Sequence, residues 1–154
     1  MIAKEKVIWI VICGVVLIVV GYVSLHKTIY FHIWKSAYYS AGINDARKAD
    51  ALQHLVYSDT EKAISIFANA IRTGSPVIRK EADDGLVLLL CRLYGNCSNK
   101  EFDTNNDGKI DLIVISLSVD ELGRPSGVSI KIDTNFNGVF TDPSDHVIDF
   151  CRLY

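Results

Sequence analysis

The chain has 154 residues, 49% of them hydrophobic and 22% charged, with a formal net charge of −2, which suits one compact domain and excludes two large ones. Aromatic and β-branched residues run throughout, so a collagen-like or wholly disordered chain is excluded. Charge is lopsided: residues 1–98 hold 11 Lys+Arg against 8 Asp+Glu, whereas residues 99–154 hold 5 against 10, which leaves no basic face for nucleic acid.

Residues 7–25, VIWIVICGVVLIVVGYVSL, carry no charge. As a helix rising ~1.5 Å per residue, these nineteen residues cover roughly 28 Å, close to the hydrocarbon thickness of a bilayer. The competing reading is a cleaved signal peptide, whose apolar stretch is roughly 7–15 residues and ends in small residues. Tyr22-Val23-Ser24-Leu25 offers no such exit, and Ile12 before Cys13 makes no lipobox, which favours an uncleaved anchor in the lipid bilayer. Lys4 and Lys6 precede the run and Lys27 and Lys35 follow it, so the positive-inside balance is weak. Beyond the run, Tyr30, Trp34 and Tyr38 recur every four residues, a stripe suited either to the headgroup layer or to packing on the domain itself.

Residues 26–97 read as a juxtamembrane segment and a small helical bundle. A first helix is expected from about Ser36 to Tyr57. Ser58-Asp59-Thr60-Glu61 has the form of a capping box opening a second, and Gly74 suits a left-handed stop. Ser75-Pro76 opens a third, whose apolar face is Ala82, Leu86, Leu89, Leu90 and Leu93, with Gly95-Asn96 ending it. The stretch SDTEKAISIFANAIRTGSPVIRKEADDGLVLLL resembles a helical hairpin of the HEAT type, with Ile78-Arg79, Ala82, Leu86 and Leu89 at the places of that repeat's V-R-x-x-A-x-x-x-L-x-x-L run. One repeat alone cannot bury its faces, so a small bundle is the reading kept.

From Ser98-Asn99-Lys100, a polar break, the chain turns β-rich through residue 154. Leu112–Val119 is rich in strand formers, Gly123–Gly127 is turn chemistry, Val128, Ile130 and Ile132 alternate with polar residues, and Val147–Phe150 makes a short third strand. The fold class expected is therefore α+β: an N-terminal transmembrane helix, a small helical bundle, then a small antiparallel sheet, with bundle and sheet sharing one core.

The strongest local signal is Asp103-Thr104-Asn105-Asn106-Asp107-Gly108-Lys109-Ile110-Asp111. Alternate side-chain oxygens in a chain that wraps on itself can converge on one hard cation, with glycine allowing the reversal at the sixth place. The proposed ligands are Asp103, Asn105, Asp107, the Lys109 carbonyl, and Asp111 directly or through water. Thirty residues on, Asp133-Thr134-Asn135-Phe136-Asn137-Gly138-Val139-Phe140-Thr141-Asp142 repeats the pattern, with Asp133, Asn135, Asn137, the Val139 carbonyl, and Thr141 or Asp142 as ligands. With fewer carboxylates it should bind more weakly; without metal it reads as an Asn/Gly-rich turn. The first loop resembles the D-x-[DN]-x-D-G loop of EF-hands, although Val114 stands where the twelfth-place Glu belongs. It is closer to the calcium loops of FG-GAP repeats, which end like Asp111-Leu112. The resemblance implies Ca2+ at modest affinity, ~10⁻⁴ to 10⁻³ M. Such a site is filled outside a cell, so the likeness argues for a cytoplasmic stub and transmembrane helix at residues 1–25 with the remainder periplasmic or extracellular.

Cys13 lies in the apolar run. A disulfide between Cys97 and Cys151 would fasten the last strand to the bundle, with Cys91–Cys151 as the rival pairing. There is no C-x-x-C pair, and the four histidines have no metal-ligand spacing. No nucleophile–base arrangement or phosphate loop is present, so an enzyme is not expected. The functional expectation is a single-pass, membrane-anchored calcium-binding module with a structural role or a protein partner, its helices near the membrane and its sheet distal. The alternative is a pilin-like or other membrane assembly subunit with a calcium-stabilised head.

Overall fold

The uncharged run does not end the first helix. In the computed structural model, which describes residues 2–40 and 44–151, α1 spans Ile2–Tyr39. It is followed by α2 (Asp45–Val56), α3 (Lys62–Thr73), α4 (Pro76–Tyr94), β1 (Cys97–Phe102), β2 (Leu112–Val119), β3 (Pro125–Ile132) and β4 (His146–Cys151). The architecture is α+β, four helices and then a four-stranded antiparallel sheet in the order β1-β2-β3-β4.

Among the described residues, α1 is the one helix long and apolar enough to cross a membrane, and its apolar stretch is exposed. Length and composition alone leave a span or a signal sequence. Farther along, the same helix becomes core. Phe31 and Tyr38 are buried, the Trp34 ring stacks on His54 with centroids 3.8 Å apart, and the Tyr30 hydroxyl is hydrogen-bonded to His54 Nδ1 at 2.9 Å. The aromatic stripe therefore packs on α2, because Ala51, Leu52 and Leu55 give it an apolar surface to cover.

The helix expected from Ser36 to Tyr57 is two elements, and Asn44 caps the second by accepting the Arg47 amide at 3.0 Å. No capping box forms at Ser58. Its hydroxyl donates to the Leu55 carbonyl at 2.7 Å, while Glu61 accepts the Tyr94 hydroxyl. Asp59, at φ 48, instead meets Lys27 of α1 at 3.2 Å and Arg92 of α4 at 2.8 Å, tying three helices at one turn. Gly74 is extended, not left-handed; a Cβ there would lie 2.4 Å from the Ala70 carbonyl oxygen, so close approach explains the glycine. Ser75 does cap α4, accepting the Ile78 amide, with Pro76 in the first turn.

In the sheet, Leu112, Val114, Leu117, Val128, Ile130, Ile132 and Ile148 are buried, and α4 lies against β2 and β3. One contiguous apolar cluster runs from Phe31 to Ile148. The meander sends the β1–β2 and β3–β4 connections out of one end of the sheet and the β2–β3 turn out of the other. The two acidic loops are those two connections.

Candidate metal centre

Each loop closes on the carboxylate of its first residue. Asp103 Oδ1 accepts the Asp107 amide at 3.2 Å and Oδ2 the Gly108 amide at 2.8 Å. Asp133 Oδ1 accepts the amides of Asn135 and Phe136 at 3.0 and 2.8 Å, and Oδ2 that of Gly138 at 2.6 Å. The third residue then accepts the amide of the fifth: Asn105 that of Asp107 at 3.0 Å, Asn135 that of Asn137 at 3.1 Å. The fifth accepts that of the seventh, Asp107 from Lys109 at 2.8 Å and Asn137 from Val139 at 2.7 Å. Both loops take positive φ at the fourth and sixth places, Asn106 and Gly108 in one, Phe136 and Gly138 in the other. Thus the thirty-residue recurrence in sequence is a recurrence in conformation, and the side chains of alternate residues turn to one inner side of each loop.

In the second loop Asp142 joins that inner side, its Oδ2 accepting the side-chain amides of Asn135 at 2.8 Å and Asn137 at 2.6 Å. Those donors hold its carboxyl below the usual carboxylate range. In the first loop the Lys109 amide, then the Asn105 side chain, do the same for Asp107. Thr141 is exposed and bonds to none of the other candidates among the described residues. Oδ1 of Asp145 is buried with no hydrogen-bond partner among the described residues, while its Oδ2 accepts the Asp142 amide at 2.9 Å.

Asp111 stands apart from its loop. It is buried; Oδ1 accepts the Thr104 amide and Oδ2 the Thr104 hydroxyl, both at 3.0 Å, and Oδ2 lies 3.4 Å from Arg72. Arg72, in the last turn of α3, is the residue that sequence reading misses. Its side chain is 5% exposed and donates to the Asp133 carbonyl at 3.0 Å, the Thr104 hydroxyl at 3.0 Å and the Asp111 carbonyl at 3.2 Å. Its guanidinium also lies over the Phe136 ring, 4.3 Å from the centroid. With the Asp133 amide donating to the Asp111 carbonyl at 2.9 Å, the two loops and the helical layer meet at one cation. No local pattern marks Arg72, since its partners lie 32 to 61 residues away.

Among the described residues, no three His, Cys, Asp or Glu side chains gather closely enough to hold a metal ion by themselves. A cation in either loop would need amide and backbone oxygens as well.

No family model matches the chain, and neither does any curated protein or solved structure.

The first loop lies beside the later part of α1: Asp103, Thr104 and Asn106 line a cleft of about 580 Å³ together with Phe31, His32 and Lys35. One placement differs from expectation: Cys97 cannot pair with Cys151. Cys97 sits on β1 opposite Leu117, and Cys151 on β4 opposite Gly127, at the two edges of the sheet. Three strand spacings of ~4.8 Å separate these edges, against the ~7 Å limit between bridged Cα atoms. The Cys151 side chain lies outside the described residues, and both Cys91 and Cys97 are free thiols.

Proposed function

We propose that the protein is a single-pass membrane-anchored module that binds calcium in its two loops on the extracytoplasmic side, with a structural or protein-interaction role. The observation that carries this reading is the shared wrap of 103–111 and 133–142, in which carboxylate and amide oxygens of alternate residues face one inner side. Those oxygens already accept backbone amides. That is compatible with metal, because a carboxylate offers about four lone-pair sites. The first loop presents Asp103, Asn105, Asp107 and the Lys109 carbonyl; the second presents Asp133, Asn135, Asn137, Asp142 and the Val139 carbonyl. Asp111 acts as a strut to Arg72 rather than as a ligand. Neither set is completed by a bidentate Glu, so affinity is modest and the sites fill only where calcium is abundant. The calcium is structural: it stiffens two connections that Arg72 joins to the bundle.

The test is thermal melting of the full chain in detergent, in chelator and in calcium. At ~5 mM calcium a site of ~10⁻⁴ to 10⁻³ M contributes about 1–2 kcal/mol, a rise of a few degrees. Asp107→Ala should remove the first loop's share and Asn137→Ala the second's. Identical melts in chelator and excess calcium would falsify the metal assignment. Recovery with sheared fibres rather than with dispersed membrane would favour the assembly-subunit reading.

A further inference from the structure

The cleft beside the first loop continues along α1 toward the apolar run. A second cavity of about 220 Å³ shares Phe31, His32 and Lys62 with it and reaches Ser24, Lys27 and Thr28. This end of the groove begins where the uncharged run ends, at Leu25. Lys27 stands two residues beyond that point and His32 seven, roughly 3 and 10 Å along the helix axis. The polar layer on each side of a bilayer is roughly 5–8 Å deep, so the Lys27 end of the groove lies within it and His32 just beyond its outer edge.

The chemistry at the mouth is that of an anion site. Lys27, His32 and Lys62 bring donors to it, the Thr28 hydroxyl being spent on the Ser24 carbonyl at 3.0 Å, and the one carboxylate lining this cavity, Asp59, is already engaged by both Lys27 and Arg92. Lys62 is exposed and has no carboxylate within 4.0 Å among the described residues. Phe31, which is buried, is the apolar member of an otherwise polar lining. Carboxylates also line the adjoining cleft, Glu61 beside Lys62 and, from the sheet side, Glu101 and Asp103; Glu61 accepts the Tyr94 hydroxyl.

We propose that this groove, between α1 and the α2–α3 turn, binds the phosphate headgroup of an anionic phospholipid of the bilayer that α1 crosses. The proposal rests on α1 being a membrane span. A lipid is chosen over a free anion because the groove opens at the level of the headgroups and runs continuously from the apolar helix surface. Lys62 is the principal contact, with His32 as the flanking donor; Lys27 stays with Asp59 and holds the turn in place.

The experiment uses the full chain reconstituted into bilayers of equal parts phosphatidylglycerol and phosphatidylcholine, followed by native mass spectrometry of the lipids retained. Phosphatidylglycerol should be retained preferentially, and Lys62→Gln should lower that preference about fivefold, the worth of one Lys near an anionic surface. Lys80→Gln, on exposed α4 away from the groove, should leave it unchanged. Equal retention of the two lipids, an unaffected Lys62→Gln, or an equal loss in Lys80→Gln would each overturn the proposal. So would inorganic phosphate raising the melting temperature in detergent as much as phosphatidylglycerol does, since the occupant would then be a free anion. Lys62 is exposed, so its variant should melt like the parent. A chain that fails to enter bilayers at all refutes the anchor, a result distinct from every one of these.

Discussion

Arg72 decides more than any other side chain. Its guanidinium is the buried donor for both loops, and Asp111, 2% exposed, depends on it for a counter-charge. Replacing it with Met leaves Asp111 as an uncompensated buried carboxylate, a change expected to cost about 3–5 kcal/mol in urea denaturation. Asp111→Asn in the same background should recover part of that loss, which separates the charge effect from simple loss of packing. Asp59 permits a prediction in pH. The Arg92 hydrogen bond, then Lys27, holds its carboxyl below the ordinary range. A lowered folded pKa stabilises the fold fully above the unfolded value of ~3.9, and that contribution disappears as pH falls through the lowered folded value. Asp59→Asn should therefore destabilise by about 1 kcal/mol at neutral pH, a modest figure because the partners are partly solvated. The gap between variant and parent should close toward pH 3 and below; a gap undiminished in acid would contradict the pairing. Neither Arg72 nor the triple role of Asp59 is visible in sequence, since each acts on partners at least 32 residues away.

At the scale of elements, α1 has two jobs with one helical geometry. The described side chains of its apolar run are exposed, whereas Phe31 and Tyr38 are core and Trp34 covers His54. Phe31→Ala should cost about 3–5 kcal/mol, as for other buried aromatics, and a fragment starting at residue 40 should lose its cooperative melt. A fragment that melts like the parent would show that the helix merely tethers the domain. The apolar run was readable because nineteen consecutive residues carry one signal. The join of the apolar run to the core was not, because the aromatic stripe suits lipid headgroups and protein equally. Strands show the same division. β2, β3 and β4 carry alternation or β-branched runs, but β1 reads Cys-Ser-Asn-Lys-Glu-Phe, a polar edge strand with Asn99 at φ 53, and only its pairing with β2 makes it a strand.

Over the whole molecule, strand order settles the cysteines. Burial pushes the Cys91 thiol up to about 11, helped by nearby Cys97, whereas Cys97 is half-buried on the edge strand. An alkylating reagent at neutral pH should therefore modify native Cys97 faster than Cys91. Peptide mapping that finds Cys97 blocked by Cys151 would contradict the strand order itself. The sheet also carries both loops at one end, and the first of them lines a cleft with Phe31, His32 and Lys35 of α1.

By itself the chain's order of residues determined the apolar run, the α+β class and the wrap of both loops. Each of these arises within a few neighbouring residues, through helical or alternating periodicity, short Asx hydrogen bonds and glycine at positive φ. Only the tertiary structure decided that Asp111 faces Arg72, that the stripe on α1 is core, that the first loop sits beside the helix, and that Cys97 and Cys151 lie on opposite edges. These depend on which surfaces cover one another across tens of residues, and burial of charge and apolar area, not local backbone preference, selects that arrangement.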